Sequence, residues 1–255
     1  ALIAGLLRDG AVRADHVTIA EPVAARRQAL EASRGVATTG SNLAAIEGAD
    51  CVILAVKPQV FPEVAAELRG KLRPEQLLIT IMAGVPLARV REGMGHERTV
   101  RVMPNVMCQV GQGVLVWKAA PEVTSEQRDL ARRLFSATGA ELEVHDEAYL
   151  DRATAMSASS PAFIFLVLEA LVDAGVHIGF ARSQATTLAV QTVLGAATLM
   201  KESGRHPAEL KNSVTSPAGT TAEGLLVLER TGVRAAFIDA VLASYRRAEA
   251  LQGPT

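Results

Sequence analysis

The sequence predicts an α/β protein with two domains, an open parallel sheet covered by helices over residues 1–145 and an all-helical domain over residues 146–255. Three observations lead to this prediction. Short apolar runs alternate with helical stretches of roughly ten residues in the first part, which is the pattern of βαβ units. Strand signals stop after Asp146. Aromatic residues make up only 4 % of the chain, so small aliphatic side chains must fill the core.

The first domain is predicted element by element from its apolar runs. Leu2, Ile3, Leu6 and Leu7 have helical spacing, and Gly10 stands where a glycine would end that helix. Turn residues bound the candidate buried strands, which are 16–20, 51–56, 77–82, 100–103, 114–117 and 141–144. Helical stretches lie between most of them, at 23–32, 42–48, 60–68, 87–94 and 124–137. Strands joined in this way form an open parallel sheet with right-handed crossovers.

The second domain is predicted from long amphipathic stretches without strand signals. Its helices are expected at 147–175 with an interruption near Pro161, and then at 182–202, 207–214, 220–231 and 234–251. The stretch 188–200 is apolar on most sides, so it must be covered. About 110 residues are too few to cover it within one chain. We therefore expect a homodimer with interleaved helices.

Composition and charge argue against several classes of protein. Lys and Arg number 26 and Asp and Glu 27, which leaves no basic field for nucleic acid or an anionic membrane. The longest apolar run, 163–168, ends at Glu169, far short of the roughly 20 residues of a membrane span, so no transmembrane segment is expected. Cys51 and Cys108 are too few for a disulfide framework. With no secretory signal at the start, a cytoplasmic protein is expected.

Candidate ligand contacts follow the predicted strands, because open parallel sheets bind ligands at the carboxyl ends of their strands. Glu21 follows the first predicted strand, where an acidic residue contacts a ribose hydroxyl in Rossmann-type folds, about 20 residues after a glycine-rich loop. That count places such a loop at or before Ala1, so we expect a strand and a phosphate loop upstream. Alternatively, Glu21 is only a solvated residue at a strand end. Arg26 and Arg27 could meet the 2′-phosphate of NADP or form a solvated helix face.

Three further turns offer cofactor contacts. Lys57 leaves a buried strand beside Pro58 and could lie near ribose or phosphate oxygens. At Ala83 and Gly84 the lack of large side chains would let a flat ring approach the backbone. The amide of Asn105 could pair with a nicotinamide carboxamide, although Asn after Pro is also an ordinary turn residue.

The loop 214–221 is the informative segment of the helical domain. Its hydroxyls lead into a predicted helix, where exposed backbone amides favour an anion. The alternative is a capping box between Thr220 and Glu223, which needs no ligand. Cys108 and the histidines show no metal-ligand spacing, so no metal site is expected. No Ser-His-Asp order or paired carboxylates compel a hydrolytic function.

Several strings distributed over the whole chain carry a family resemblance. They are Asn42, ILAVKPQ at 53–59, MAGV at 82–85, RVMPN at 101–105, LDRATAMSASSPAF at 150–163, DAGVHIGF at 173–180 and HPAELKNSVTSPAGTT at 206–221. In this order and spacing they closely resemble the pyrroline-5-carboxylate reductases. That family has an N-terminal Rossmann domain and a helical domain that interleaves with a second subunit, and its dimers can assemble further. It begins with a strand and a glycine-rich loop, which agrees with the count back from Glu21.

The resemblance implies the last step of proline biosynthesis, in which NADPH or NADH delivers a hydride to the C=N carbon of 1-pyrroline-5-carboxylate. It implies cofactor contacts at Asn42, Ala55, Val56, Lys57, Pro58 and Ala83. It implies a substrate loop containing Ser216, Gly219, Thr220 and Thr221, with the Thr221 hydroxyl near the ring nitrogen as the catalytic candidate. Glu147 matches a family position near bound proline and is expected to position the substrate.

Besides the phosphate loop, which is expected upstream of Ala1 and without which cofactor affinity should be severely weakened, the chain departs from the family pattern in two places. Ala158 and Ser160 stand where the family commonly has glycines, which affects close packing at the predicted helix interruption. Ala218 replaces the first glycine of SPGGT; the change is mild at negative φ and costly at positive φ. Two alternative functions stay open. One is a related imine or β-hydroxyacid dehydrogenase, and the other is a non-catalytic nucleotide-binding dimer.

Overall fold

The computed structural model describes residues 2–250, which form two compact units. The first unit contains the residues up to Ala158 and those from Ser244 onward, and the second contains Ser159–Ala243. The domain boundary expected between residues 145 and 146 lies earlier than this division and stays a prediction. Leu251, the expected end of the last helix, lies outside the described residues.

The strands of the described chain form two sheets. They are β1 Thr18–Ala20, β2 Ala37–Thr39, β3 Cys51–Leu54, β4 Leu77–Thr80, β5 Thr99–Met103, β6 Gly113–Ala119 and β7 Gly139–Glu143. β1 and β2 pair in parallel, and the others form a sheet in the order β3-β4-β5-β6-β7. Every predicted strand is present, with ends shifted by one or two residues. β2 was not predicted, because its Ala-Thr-Thr sequence contains no apolar run.

The larger sheet is mixed, whereas the sequence predicted a parallel sheet. β3, β4 and β5 are parallel and so are β6 and β7, but β6 runs antiparallel to β5, with Val102 opposite Trp117. The connection 104–112 contains only the 3₁₀ turn Val106–Val110. It is too short for the helical crossover of about a dozen residues that parallel neighbours need, so the chain reverses.

Helices cover both faces of this sheet. In the first unit they are α1 Leu2–Arg8, α2 Ala24–Arg34, α3 Asn42–Ile46, α4 Phe61–Leu68, α5 Leu87–Met94, α6 Ser125–Ser136 and α7 Ala148–Ala153, with a short 3₁₀ turn at Ala14–His16. Side chains alternate across β4, which places Leu77 and Ile79 in one core cluster and Leu78 in the other. Trp117 and Phe135 pack edge-to-face in the first cluster, and Phe61 fills the second.

The second unit is helical, as predicted. Its helices are α8 Ser160–His177, α9 Arg182–Ser203, α10 Pro207–Ser213, α11 Thr220–Arg230 and α12 Val233–Ala250, whose last turns belong to the first unit. The helix is not broken near Pro161, because α7 continues through a π-helical turn, Thr154–Ser159, into α8. Ala158 and Ser160 are part of this continuous helical path.

Large apolar side chains of the second unit are left exposed within the chain. No residue of α8, α10, α11 or α12 is buried, and α9 buries only Ala185 and Ala189. Ile178 is 78 % exposed and Ile238 55 %. An exposed apolar surface of this extent is typical of a protein interface.

One helix of the described chain, Ala148–His177, is long and apolar enough to cross a membrane by length and composition. The expected absence of a transmembrane segment therefore stays a prediction. It rested on the apolar run that ends at Glu169, whereas the helix continues through Glu169 and Asp173. A core helix of a soluble protein passes the same test, so the feature alone assigns no membrane.

Candidate functional site

Two exposed alanines lie where neighbouring parallel strands end. Ala55 directly follows β3, and Ala83 lies three residues after the end of its partner strand β4. Gly84 has a φ of +70°, a left-handed conformation that an L side chain rarely adopts. The two small residues leave this edge of the sheet open to a flat group.

The turn after β3 directs Lys57 into solvent. Val60 donates its N–H to the Lys57 carbonyl at 2.9 Å, and Phe61 donates to the Pro58 carbonyl at 3.3 Å, so the turn leads directly into α4. Within the described residues the Lys57 ammonium has no ion-pair partner. Val56 packs its side chain against a core cluster, which leaves only its backbone for a ligand.

Glu21 lies at the carboxyl end of β1, as predicted, and its carboxylate already has partners. Oε1 accepts a hydrogen bond from the Val23 N–H at 3.0 Å, and Oε2 lies 4.0 Å from the Arg26 guanidinium. Arg27 donates to the Glu21 carbonyl at 2.7 Å and is tied to the backbone. The more exposed Arg26 is therefore the freer of the two arginines for a phosphate.

The two candidate asparagines hold parts of the first unit together. Asn42, the first residue of α3, donates Nδ2 to Glu67 at 2.7 Å. Asn105 accepts from the Val114 N–H at 3.3 Å and donates to the Ser157 carbonyl at 3.3 Å. Pro161 has no N–H for the carbonyl four residues earlier, which explains why Ser157 is free to accept from Asn105. Each amide retains unused hydrogen-bonding capacity that a cofactor could take up. The cofactor contacts of both residues stay predictions.

Glu147 belongs to a cluster of charges inside the first unit. Its Oε1 accepts from the Leu87 N–H at 2.7 Å and from Arg101 at 2.5 Å. Arg101 is 2 % exposed and also donates to Asp151 at 3.3 Å. The carboxylate predicted to position the substrate thus has protein partners on α5 and β5.

Sequence reasoning missed Arg101 and Asp151. The signal for Arg101 was a charged residue in the middle of the apolar run Thr99–Met103, whose residues are all buried. Arginine is almost never fully buried without a carboxylate partner. A search for acidic residues one helical turn apart would have found Glu147 and Asp151.

The loop before α11 does not form the capping box between Thr220 and Glu223 that was predicted as the alternative to an anion site. Gly219 is the N-cap of α11 and Thr220 is already the first helical residue, so the Thr220 hydroxyl caps no helix. The early helix N–H groups of Ala222 and Glu223 instead donate to the Gly219 carbonyl, at 3.0 and 3.3 Å. Thr220 and Thr221 therefore keep their side chains free for another partner.

The hydroxyls of Ser216, Thr220 and Thr221 have no hydrogen-bond partner among residues 2–250. Hydroxyls just outside this group behave differently, since Thr215 donates to the Lys211 carbonyl at 2.7 Å and Ser213 to the Leu210 carbonyl at 2.8 Å. The free groups, together with the first N–H groups of α11, form a polar loop suited to an anion.

Metal ligands and reactive thiols do not add to this arrangement. In the described part of the chain no group of three or more His, Cys, Asp or Glu side chains could hold a metal ion. Cys108 is fully buried. Burial raises the pKa of the Cys51 thiol to about 12, with a further contribution from Asp50, so Cys51 is a poor nucleophile at neutral pH.

The edge formed by Ala55, Lys57, Ala83 and Gly84 fits a dinucleotide. The exposed methyl groups leave space for a planar ring, and the free ammonium of Lys57 can pair with phosphate or ribose oxygens. Glu21 lies at the end of β1, where ribose is bound in folds of this kind. The residues present are compatible with NADPH or NADH.

Comparisons with known proteins identify the family of the chain. Residues 147–251 match the family described as pyrroline-5-carboxylate reductase dimerisation, and residues 1–84 match NADP oxidoreductase, coenzyme F420-dependent. The pyrroline-5-carboxylate reductase of Synechocystis is 42 % identical over 252 residues, covering 98 % of this chain and 93 % of that protein. The enzyme of Pisum sativum is 38 % identical over 97 % of this chain and 90 % of its own length.

Two solved structures extend the agreement to the fold. A pyrroline-5-carboxylate reductase from Coxiella burnetii superposes with a TM-score of 0.91 at 32 % identity, covering 99 % of this chain and 94 % of the other. A Plasmodium falciparum pyrroline carboxylate reductase with NADP bound superposes with a TM-score of 0.87 at 28 % identity, covering 99 % and 93 %. The fold is therefore a Rossmann-like nucleotide-binding domain followed by a helical domain, and the chain belongs to the pyrroline-5-carboxylate reductase family.

Proposed function

We propose that this chain reduces the C=N bond of 1-pyrroline-5-carboxylate to give L-proline, with NADPH or NADH as the reductant. The observation that carries the proposal is the loop Ser216–Thr221, whose free hydroxyls lie at the start of α11 in a chain related to these enzymes over nearly its whole length. A cyclic imine carboxylate needs an anion site and a partner for its nitrogen, and such a loop can supply both.

The first unit holds the cofactor in this proposal. Ala55, Ala83 and Gly84 form the open edge against which a planar ring can lie, while Lys57 pairs with phosphate or ribose oxygens. Glu21 receives a ribose hydroxyl, and the exposed Arg26 favours the 2′-phosphate of NADPH. When bound, NADPH supplies the hydride to the imine carbon.

The substrate carboxylate is assigned to the N-terminal end of α11. Its first N–H groups and the hydroxyls of Ser216 and Thr220 donate hydrogen bonds to the carboxylate oxygens. A Cβ at Gly219 would lie 2.2 Å from the Ser216 hydroxyl, so glycine keeps that hydroxyl free to turn toward an anion. Thr221 places its hydroxyl near the ring nitrogen.

Chemistry at the imine needs little acid strength from the protein. A protonated C=N carbon is already electrophilic, so the chain contributes by orienting the ring and stabilising the iminium. The Thr221 hydroxyl holds the nitrogen through a hydrogen bond, and the proton that completes the amine stays on that nitrogen. No histidine or carboxylate has to transfer a proton in this scheme.

A homodimer accounts for the exposed helices of the second unit. The match to a dimerisation family spans residues 147–251, and α8, α10, α11 and α12 bury no residue within one chain. A second copy that interleaves its helices would cover side chains such as Ile178 and Ile238. Dimers of this kind can associate further.

We infer a cytoplasmic enzyme, and the balanced charge argues against nucleic-acid or anionic-membrane partners. The apolar helix Ala148–His177 is assigned to the dimer rather than to a bilayer, because it lies in the region that matches the dimerisation family. We assign nucleotide binding to residues 1–145 and substrate binding with dimerisation to residues 146–255.

Inhibition by the product tests the substrate class. L-Proline should inhibit the reaction competitively against 1-pyrroline-5-carboxylate, because both carry the same ring and carboxylate. A β-hydroxyacid dehydrogenase with this fold would be indifferent to L-proline. The measurement is the initial rate of NADPH oxidation at several fixed concentrations of L-proline.

A further inference from the structure

The carboxylate of Glu147 connects three elements of the first unit. Glu147 is the N-cap residue of α7, and its Oε1 accepts hydrogen bonds from Leu87 at the start of α5 and from Arg101 on β5. These contacts lie entirely within residues up to Ala158. A single carboxylate oxygen thus fixes two elements relative to α7.

The contact with Leu87 replaces a cap that α5 lacks. Pro86 is the N-cap residue of α5 and has no side-chain acceptor, so the first N–H of the helix has no local partner. Glu147 supplies the acceptor at 2.7 Å from a different part of the chain. A negative charge at a helix N-terminus is also favourable. Glu147 therefore fixes the point at which α5 begins.

That point lies next to the proposed cofactor edge. Only Gly84, Val85 and Pro86 separate Ala83 from Leu87. The turn carries an exposed Ala83 and a left-handed Gly84, and the next residue, Val85, packs into a core cluster. An anchor at the start of α5 limits how far this turn can move.

Arg101 and Asp151 hold the Glu147 carboxylate in position. Arg101 is 2 % exposed, and its guanidinium contacts Glu147 at 2.5 Å and Asp151 at 3.3 Å. Glu147 and Asp151 are one helical turn apart and so face the same way. A buried arginine without its carboxylates is strongly unfavourable, which locks the three side chains together.

We propose that Glu147, held by Arg101 and Asp151, is a positioning residue for the cofactor edge at Ala83 and Gly84 and makes no contact with the substrate. The inference rests on the proposed function, because it assigns that edge to NADPH. It departs from the family resemblance, which places Glu147 near bound proline.

Substitution of Glu147 separates these two roles kinetically. Glu147→Ala should raise the KM for NADPH about tenfold and change the KM for 1-pyrroline-5-carboxylate less than about twofold. Glu147→Gln keeps an oxygen for the Leu87 N–H, so its KM for NADPH should lie between those of the wild type and the alanine variant. The measurement is steady-state NADPH oxidation by the full chain with each reactant varied in turn.

Glu143→Ala is the matched control. Glu143 is a partly buried carboxylate on β7 that pairs with Arg128 and Arg132, and it has no contact with α5. Its loss should leave both KM values unchanged. If Glu147→Ala does not fold, Glu147→Gln carries the comparison.

Three results would overturn the inference: a higher KM for 1-pyrroline-5-carboxylate with that for NADPH unchanged, an equal rise in both, or no change in either. Failure of the proposed function is distinguishable, because it would show as a wild-type chain that binds NADPH without reducing this substrate. In that case the dissociation constant for NADPH, measured by fluorescence, still tests the role of Glu147. It should rise about tenfold in Glu147→Ala.

Discussion

The backbone N–H of Gly219 donates a hydrogen bond to the Ser216 carbonyl at 3.1 Å and closes a four-residue turn. Pro217 and Ala218 are its central residues, and Ala218 has a φ of +53°. A proline followed by a residue with positive φ is the pattern of a type II turn, which normally has glycine in the second place. Ala218 is the only non-glycine residue with positive φ between residues 2 and 250. The departure from the family pattern at this position is therefore the costly kind.

Replacing Ala218 with glycine should stabilise the protein. Relief of the left-handed strain should raise the free energy of unfolding by about 0.5–1 kcal/mol, and the test is urea denaturation at fixed protein concentration. Ala29, exposed in the middle of α2, provides the control, because Ala29→Gly should destabilise by about 1 kcal/mol. A loss of stability in Ala218→Gly would show that the turn carries no such strain.

Loss of the Thr221 hydroxyl should slow turnover. Thr221→Ala removes the proposed hydrogen-bond acceptor for the ring N–H, and we expect kcat to fall about a hundredfold, a typical cost of losing one preorganised hydrogen-bond partner. Thr221→Ser, which keeps the hydroxyl, should retain most of the activity. Gel filtration should show the same dimer in both variants. Wild-type kinetics in Thr221→Ala would remove this residue from the site.

A charge on the exposed face of α12 should disrupt the dimer. Ile238 is 55 % exposed in the single chain, and Ile238→Asp would place an unpaired carboxylate in the proposed interface. Sedimentation velocity should then detect monomer or unfolded protein at micromolar concentration. Val110, 59 % exposed in the first unit, is the comparison site, and Val110→Asp should leave the dimer intact. An unchanged dimer in Ile238→Asp would place the interface elsewhere.

The partly buried thiol of Cys51 predicts a pH dependence of stability. Its pKa is raised from 9.0 to about 12 by burial and by Asp50, so the folded state keeps a proton that the unfolded state releases. The protonated thiol contributes fully to the free energy of unfolding below about pH 9. This contribution is lost between pH 9 and 12, at up to ~1.4 kcal/mol for each pH unit.

Cys51→Ala tests that dependence. Below pH 9 the free energies of unfolding of the wild type and the variant should differ by a constant amount. Above pH 9 the wild type should lose stability relative to the variant. Urea denaturation at a series of pH values measures this difference. A difference that stays constant up to pH 11 would show that the thiol ionises equally in both states.

Strands and helices with apolar periodicity were predictable to within two residues, because burial imposes that periodicity. The direction of β6 depended on the length of its connection to β5, and β2 carried no apolar run. The conformation of Ala218 followed from neither composition nor periodicity. The proposed cofactor edge followed from the sequence because small residues and Lys57 come directly after predicted strands.

The partners of Glu147 could not be predicted from the sequence. Leu87 lies 60 residues earlier in the chain, and a contact over that separation exists only once the sheet has formed. Arg101 gave a signal as a charge within an apolar run, but nothing local identified its partners. Contacts of this kind depend on tertiary structure.

Turnover with 1-pyrroline-5-carboxylate is the decisive test of the proposed reaction. Protein expressed from its complete coding sequence should oxidise NADPH in the presence of 1-pyrroline-5-carboxylate and form one L-proline for each NADPH consumed. NADPH binding without turnover would contradict the substrate assignment and point to another imine or carbonyl compound. Absence of NADPH binding would contradict both the cofactor and the reductase assignments and favour a non-catalytic dimer.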